Sequence, residues 1–342
     1  MKARIAAAMI LAAGIVAPYI LEAQTRSDSD YAIVDRISGP DGGWDYANVD
    51  SDHRRLYVAR SNAVMAVDLA TGKVTPQLAP AEHGHQVLPL RGSNTLLETN
   101  GDSNIARLID IETGAVLAEI PTGKKPDAAF LDEATRQIAV MNAGDGTVTL
   151  IDPVARKATG SIDVGGGLEF AVPDGKGGVY VNIEDRNAIA VLDLRARRVT
   201  RTIPLTGCEG PTGLALVSQG TRLISACANG KAVVVDPKAG KVIATLDIGR
   251  DPDAVLVDAT RQRAFIPCGG TGTLSVIDIA QPANIHVIGT IATQVGAKTG
   301  ALDPRDGRIY LPTATLQAPA PGAKRGLPTP GTFVVLVLAP RA

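Results

Sequence analysis

The sequence is poor in aromatic residues and carries almost no net charge. Aromatic side chains make up 3% of the 342 residues and 36 residues are glycine, a composition that favours short strands joined by tight turns over a helical enzyme core. Basic residues number 34 and acidic residues 35, so the strongly basic surface of a nucleic-acid-binding protein is missing. We therefore expect an all-β protein without a nucleic-acid partner.

Signatures of catalysis are also missing. The sequence has no serine nucleophile elbow, no glycine-rich nucleotide loop and no zinc-binding pattern. Its three cysteines, Cys208, Cys227 and Cys268, have neither Cys-x-x-Cys nor haem-attachment spacing. We assign no catalytic residues and expect no cofactor, with a bound divalent cation as the alternative.

A long apolar run occurs near the N-terminus. Lys2 and Arg4 precede it, and the run from Ile5 to Ala17 is too short to remain in a bilayer as a span. This pattern predicts a secretory signal peptide over residues 1–23, cleaved after Ala23, with cleavage after Ala17 or an uncleaved anchor as alternatives. We expect the mature chain to be periplasmic or secreted and to have no membrane span.

An apolar segment that ends in aspartate, such as Gly146–Asp152, recurs along the chain. The closing aspartates are separated by 42, 42, 41, 43 and 42 residues, which indicates an array of similar structural units. These aspartates are Asp68, Asp110, Asp152, Asp193, Asp236 and Asp278.

Each unit contains four short apolar strands, the composition of a propeller blade, and seven units align at the start of their first strands. The seventh unit lacks a fourth strand at its C-terminal end, and Tyr31–Ile37 has the right spacing to supply it. The sequence predicts a single seven-bladed β-propeller domain over residues 24–342, with four-stranded blades and the last blade closed by the N-terminal strand. The aligned residues are Trp44, His85, Pro126, Leu168, Pro211, Pro252 and Lys298.

The repeat resembles that of the YVTN-repeat propellers, the YncE-like group. The likeness rests on second strands such as Tyr57-Val58-Ala59, on the segments that end in aspartate and on Gly-x-x-Pro-Asp patterns such as Gly249–Asp253. It extends over residues 31–338. The resemblance implies the fold, but related propellers include binding proteins, lactonases and subunits of quinone- or metal-dependent oxidoreductases, so it leaves the activity open.

Acidic residues directly follow the aligned position in four blades. Because stacking of the units brings this position to one mouth of the central channel, these side chains are candidates to hold a cation or an amine. We favour a structural interpretation, in which each carboxylate caps its own turn. The four residues are Asp45, Asp127, Glu169 and Asp253.

Three blades depart from the repeat at the aligned position itself, where Trp44, His85 and Lys298 stand. Such departures point to function, because the fold would allow the same residue at this position in every blade. His83 and His85 lie on one loop as a candidate metal pair, but zinc and copper sites need three or four converging ligands. We therefore assign no metal site and treat both histidines as ligand-contacting groups.

Blade seven carries an insertion over residues 313–331. It is rich in proline and is predicted to be extended and without regular structure. It places the basic pair Lys324 and Arg325 on the face of the variable loops, either as a lid or partner contact, or within a disordered surface insertion.

Two disulfide pairings are compatible with the repeat. Cys208 and Cys227 lie at neighbouring ends of the first two strands of blade five, whereas a Cys227–Cys268 bridge would join adjacent blades. We prefer the bond within blade five, and the spacing of the Cα atoms decides between them.

The combination of balanced charge, a variable loop face and no assembled catalytic set indicates a binding or scaffold protein, which we expect to be monomeric. Its ligand would be a small molecule, an envelope component or a protein partner, held by the face that carries Trp44, His85 and the 313–331 loop. The alternatives are a lactonase-like metal-dependent hydrolase and a propeller subunit of a periplasmic redox complex.

Overall fold

A computed structural model of the protein describes residues 31–320, 322 and 326–341, and these residues form seven antiparallel sheets of four strands each. The predicted seven-bladed all-β propeller is confirmed. The helical segments among the described residues are two 3-10 turns, Glu184–Arg186 and Ser218–Gly220. None of the helices in this part of the chain has the length and apolar character needed to cross a membrane.

The strands follow the chain in order, blade by blade. Blades one and two comprise Trp44–Asp50, Arg55–Arg60, Ala63–Asp68 and Val74–Pro80, then Gly84–Leu90, Thr95–Asn100, Ile105–Asp110 and Val116–Pro121. Blades three and four comprise Pro126–Asp132, Gln137–Asn142, Thr147–Asp152 and Lys157–Asp163, then Leu168–Pro173, Gly178–Ile183, Ala188–Asp193 and Arg198–Pro204. Blades five and six comprise Pro211–Val217, Arg222–Cys227, Lys231–Asp236 and Lys241–Asp247, then Leu256–Asp258, Arg263–Cys268, Thr273–Asp278 and His286–Ala292. Blade seven comprises Ala301–Leu302, Ile309–Thr313, Val334–Pro340 and Tyr31–Ser38.

The closure of the ring is also confirmed. Tyr31–Ser38 pairs antiparallel with Val334–Pro340, from Tyr31 opposite Pro340 to Ser38 opposite Val334. This pairing gives blade seven its fourth strand from the N-terminal end of the described chain. It covers a sheet edge that would otherwise present unpaired backbone groups.

The apolar pattern of each strand follows its place in the blade. A third strand such as Thr147–Asp152 is buried on both faces because neighbouring blades pack against it, so it reads as a continuous apolar run. An outer strand such as Arg198–Pro204 is largely exposed and polar. The core therefore lies between the blades, in seven apolar clusters of buried side chains.

The repeated aspartates close the turns on one face of the disc. The Asp68 carboxylate accepts hydrogen bonds from the amides of Ala70 and Thr71, at 3.0 and 2.8 Å, and Gly72 supplies the left-handed conformation at the end of the turn. Asp110 caps its turn in the same way. These residues serve the fold.

Two local predictions need correction. In blades six and seven the first strand begins later than the aligned position, at Leu256 and Ala301, and Pro252 keeps only an isolated bridge to Cys268. The 313–331 insertion contains regular pairing: Leu316 bridges Pro328, and the flanking amides continue the ladder. The proline content had hidden this pairing, which uses the amides of non-proline residues between the prolines.

Candidate functional site

Most first strands are interrupted by a β-bulge immediately after the residue that begins them. In blade three, Pro126 pairs with Asn142 and Ala129 with Val140, which leaves Asp127 and Ala128 outside the ladder. The same shift follows the first residue of the strand in blades one, two, four and five. A bulge re-aims side chains, and here it directs the residues after the first residue of the strand into the channel mouth. In blade two that first residue is Gly84, so the alignment of His85 with Trp44 and Pro126 is wrong by one residue and His85 itself lies in the bulge.

Six ionisable side chains from these positions meet at one mouth of the channel, and we call them the acidic cup. They come from blades one, two, three, four, six and seven, one side chain from each. They are Asp45, His85, Asp127, Glu169, Asp253 and Lys298.

His85 stands between two carboxylates of the cup. Its Nδ1 atom lies 2.7 Å from Asp45 Oδ2 and 3.5 Å from Asp127 Oδ1, and one ligand atom of each residue lies within 4.8 Å of the others. Burial lowers the pKa of His85, but the hydrogen bond to Asp45 and the charge of Asp127 outweigh burial and raise it. The three residues belong to three different blades, so the fold itself assembles the group.

Asp127 is buried without a hydrogen bond to its carboxylate from any described residue, and its nearest cationic group is His85. Burial, and then the charge of Asp45, raise the pKa of Asp127 to about 6. A buried carboxylate normally accepts several hydrogen bonds. Among the described residues, the Asp127 carboxylate therefore depends on its ion pair with His85.

Two further carboxylates complete the cup. Burial, followed by the charges of Asp127 and Asp253, raises the pKa of Glu169 well above its usual value. Burial also raises the pKa of Asp253, although its ion pair with Lys298 opposes the shift. Crowding of like charges in a water-poor site is the common cause.

The backbone of the bulges is anchored by side chains of neighbouring blades. Thr299 Oγ1 donates to the carbonyl of Asp45 at 2.8 Å, and Thr99 Oγ1 donates to the carbonyl of Asp127 at 2.8 Å. These bonds satisfy carbonyl groups that the bulge removes from the ladder and fix the direction of both carboxylates.

The capping interpretation of the four carboxylates is wrong. Among the described residues, none of them accepts a hydrogen bond from a backbone amide; Asp45 bonds to His85 and Asp253 to Lys298. Both partners come from another blade. The carboxylates therefore face one another across the channel mouth.

Two aromatic rings form the floor of the cup. Tyr46 follows Asp45, Phe170 follows Glu169, and their ring centroids lie 5.4 Å apart. Tyr46 is buried, and burial together with the surrounding carboxylates, Asp253 foremost, raises its pKa well above the usual value. The corresponding residues Gly213, Ala254 and Gly300 are small.

A cavity of about 330 Å³ lies along the channel below these rings. Its walls include Tyr46, Phe170, Leu256 and Leu302, and Gln86 contributes a buried Oε1 atom that has no hydrogen-bond partner among the described residues. The cup is thus charged, whereas the cavity beneath its floor is lined by both apolar and uncharged polar groups.

Comparison with known proteins places this geometry in context. The chain is 26% identical over 226 residues to the uncharacterized protein YncE of Escherichia coli strain K12, a match that covers 61% of this chain and 63% of that protein. It is 25% identical over 263 residues to YncE of Salmonella typhi, which covers 68% of this chain and 73% of that protein. The chain is a seven-bladed β-propeller that is similar in sequence to YncE. No protein-family model matches it.

Solved structures with the same fold include proteins of other kinds. A chain of Kuenenia stuttgartiensis hydrazine synthase superposes with a TM-score of 0.69 at 16% identity, over 86% of this chain and 96% of that chain. A chain in a crystal structure of the mitotic checkpoint complex superposes with a TM-score of 0.74 at 14% identity, over 99% of both chains. At such identities these likenesses show the fold alone.

Several residues predicted for the site of this YncE-like propeller lie outside the cup. Trp44 packs on Phe333, with ring centroids 5.7 Å apart, and so supports the junction of blades seven and one. His83 is exposed; its Nδ1 atom lies 3.1 Å from Asp102, and its ring stacks on His85 with centroids 4.6 Å apart. Lys324 and Arg325, like the predicted signal peptide over residues 1–23, lie outside the described residues.

The cysteines adopt the pairing within blade five. Cys208 and Cys227 form a disulfide with Cα atoms 5.4 Å apart, and Cys268 is a free, buried thiol. The disulfide joins the loop that enters blade five to the end of its second strand. Burial raises the pKa of Cys268, so its thiol is unreactive at neutral pH.

Sequence reasoning missed Tyr46, Phe170 and Glu98. Tyr46 and Phe170 occupy one position of the repeat. Blades five to seven have small residues at this position, and the difference in side-chain size could have identified the two aromatic residues from the sequence. The small residues are Gly213, Ala254 and Gly300. Glu98 stands in a second strand where the other blades have mainly aliphatic residues. An acid in that register indicates a buried polar group.

Proposed function

We propose that the protein is an exported, non-catalytic binding propeller that takes a small cationic ligand into the acidic cup. The observation that carries this proposal is the convergence of four carboxylates from four blades, accompanied within the cup by His85 and Lys298 as the basic groups. An excess of negative charge in a concave, partly desolvated site favours a cation.

The repeat itself argues that these acids serve binding. The equivalent position holds His85, Thr212 and Thr299 in the other three blades, so the fold does not require a carboxylate there. Mutual repulsion of buried acids costs stability, as the raised pKa values of Asp127 and Glu169 indicate. A bound cation would relieve that repulsion.

Export is supported by two independent features. The N-terminal sequence has the charged start and short apolar run of a signal peptide, and the Cys208–Cys227 disulfide suits an oxidising compartment. N-terminal sequencing of the protein recovered from the periplasm or the medium tests this part. Recovery of the full-length chain from the cytoplasm alone would refute it.

The binding proposal is tested by thermal unfolding of the chain from residue 24 with putrescine, Mg²⁺, Ca²⁺, Mn²⁺ and Zn²⁺. A ligand at one hundred times its Kd stabilises the folded state by about 2.7 kcal/mol, which raises Tm by several degrees. Glu169→Gln should reduce the shift, whereas Glu209→Gln, an exposed acid on a loop of the same face, should not. Equal shifts in both variants, or no shift with any cation, would refute a cup that binds cations.

A metal-dependent hydrolase is the second candidate, favoured by the proximity of Asp45, His85 and Asp127. Such an enzyme would hydrolyse γ-butyrolactone or 4-nitrophenyl acetate only with a divalent ion present, and Asp127→Asn would abolish the reaction. Metal binding without turnover of either substrate would favour the non-catalytic function.

A further inference from the structure

We infer that Asp45, His85 and Asp127 form a site for one divalent transition-metal ion of the Zn²⁺ or Co²⁺ type on the wall of the acidic cup. This inference rests on the proposed function, because it specifies which cation the cup takes. It concerns three residues from three consecutive blades, while Glu169 and the Asp253–Lys298 ion pair line the rest of the cup.

The separations of the ligand atoms suit such an ion. Metal–nitrogen and metal–oxygen bonds of about 2.1 Å in a tetrahedral site place neighbouring ligand atoms about 3.4 Å apart. His85 Nδ1 lies 2.7 Å from Asp45 Oδ2 and 3.5 Å from Asp127 Oδ1, and the three ligand atoms lie within 4.8 Å of one another. Shifts of a few tenths of an ångström to one ångström would bring all three into coordination distance.

The second observation is that Asp127 is buried with a single, long polar contact to its carboxylate. The residue is 8% exposed, and the one polar contact of its carboxylate among the described residues is the ion pair with His85 Nδ1 at 3.5 Å. Buried carboxylates in native proteins normally have hydrogen-bond partners or coordinate a metal ion. A metal ion between Asp45 and Asp127 supplies a closer partner.

The chemistry of the three groups selects the kind of ion. One imidazole nitrogen and two carboxylate oxygens match the His and Asp ligands of zinc sites, whereas Ca²⁺ takes six to eight oxygen ligands and Mg²⁺ rarely takes an imidazole. Three protein ligands leave a fourth position open for water or for a donor atom of a bound molecule. The metal would displace the proton from His85 Nδ1 on binding.

The backbone around the site is arranged to hold the ligands in place. Thr299 and Thr99 fix the bulge carbonyls of Asp45 and Asp127 from adjacent blades. Gly101 packs against the far edge of the imidazole, since a Cβ atom on Gly101 would lie 2.7 Å from His85 Nε2. The three ligands are therefore pre-positioned, and binding a metal requires little reorganisation.

The test is a titration of the chain from residue 24 with Co²⁺, followed by its visible absorption, with Zn²⁺ competition and metal content measured after dialysis. We expect one ion per chain and the intense bands of four- or five-coordinate Co²⁺, lost on addition of Zn²⁺. His85→Gln and Asp127→Asn should each weaken binding at least tenfold. His286→Gln is the control, because His286 is an exposed histidine on the outer strand of blade six and its replacement should leave binding unchanged.

Folding of each variant is checked by circular dichroism and urea unfolding, and Asp45→Asn replaces any variant that does not fold. Loss of Co²⁺ binding in His286→Gln, or its retention in His85→Gln, would overturn the site. Stabilisation by putrescine, Ca²⁺ or Mg²⁺ without uptake of Co²⁺ or Zn²⁺ would overturn the metal site while the cationic cup stands. Absence of every one of these effects would overturn both.

Discussion

The ring of Tyr46 in blade one packs against the ring of Phe170 in blade four, with centroids 5.4 Å apart and an interplanar angle of 53°. Blades one and four lie on nearly opposite sides of a seven-bladed ring, so the two side chains meet across the channel. Their contact separates the charged cup from the uncharged cavity beneath it. The channel mouth is therefore a cup with an aromatic floor.

Removal of this floor should cost stability and weaken cation binding. Tyr46→Ala creates a cavity at a buried position and should lower the free energy of unfolding by about 3 kcal/mol, measured by urea unfolding. Tyr46→Phe keeps the ring contact and should cost less than about 1.5 kcal/mol. Similar losses in the two variants would show that the hydroxyl, and not the ring, carries the effect.

Glu98 should make stability depend on pH. Burial raises its pKa from 4.5 to about 8, and its Oε1 atom has no hydrogen-bond partner among the described residues. Between about pH 4.5 and 8 the folded protein keeps a proton that the unfolded chain has lost, so the free energy of unfolding falls as the pH rises through this window and levels off above it.

Glu98→Gln removes this titration and should flatten the pH profile of the urea midpoint between pH 5 and 8. At neutral pH we expect a gain on the order of 1–3 kcal/mol, because the neutral amide does not have to take up a proton when the chain folds. Glu119→Gln is the control, an exposed acid of the same blade that also contacts Arg107. A profile that keeps its slope in Glu98→Gln would show that another group titrates in this range.

The fold was predictable because the same sequence pattern recurs in successive blades. The spacing of Asp68, Asp110, Asp152 and the later aspartates gives the number of blades, and the surplus strand Tyr31–Ser38 gives their closure. Each blade repeats the evidence of the others, so a local deviation does not change the result. A comparison of the repeats does not reveal that the first strands of blades six and seven begin late.

The candidate site was predictable in its positions and not in its contacts. Alignment placed Asp45, Asp127, Glu169 and Asp253 at the channel mouth, but a pattern of residues does not reveal a bulge that turns them inward. The same aspartate type caps a turn at Asp68 and faces the channel at Asp127. The difference lies in backbone register, which depends on tertiary packing.

The disulfide of blade five should contribute to stability without forming part of the cup. Cys208 and Cys227 are 19 residues apart, and a loop of this length corresponds to about 3 kcal/mol of lost entropy in the unfolded chain. The Cys208→Ser/Cys227→Ser variant, or reduction with dithiothreitol, should lower the urea midpoint accordingly and leave cation binding intact. Cys268→Ala, which removes only the free thiol, should have a smaller effect. An unchanged midpoint after reduction would contradict the assignment.

Arg60 should hold the ring closed. Its guanidinium group is fully buried, donates to the carbonyls of Pro40, Gly42 and Gly43 at 2.7 to 3.1 Å, and lies 3.6 Å from the ring centroid of Phe333. It therefore ties the segment after the N-terminal strand to blade one and to the last blade. Lysine offers no planar fork for three carbonyl groups, so Arg60→Lys should lower the free energy of unfolding by about 3 kcal/mol.

The location of that loss distinguishes a closure role from general destabilisation. Amide hydrogen exchange in Arg60→Lys should accelerate first in Tyr31–Ser38 and Val334–Pro340, because these strands join the two ends of the chain. Arg91→Lys, at an exposed turn of blade two, should leave both stability and exchange unchanged. Uniform acceleration over all seven blades would show that Arg60 supports the core generally, since the closing strands would then be no weaker than the rest of the propeller.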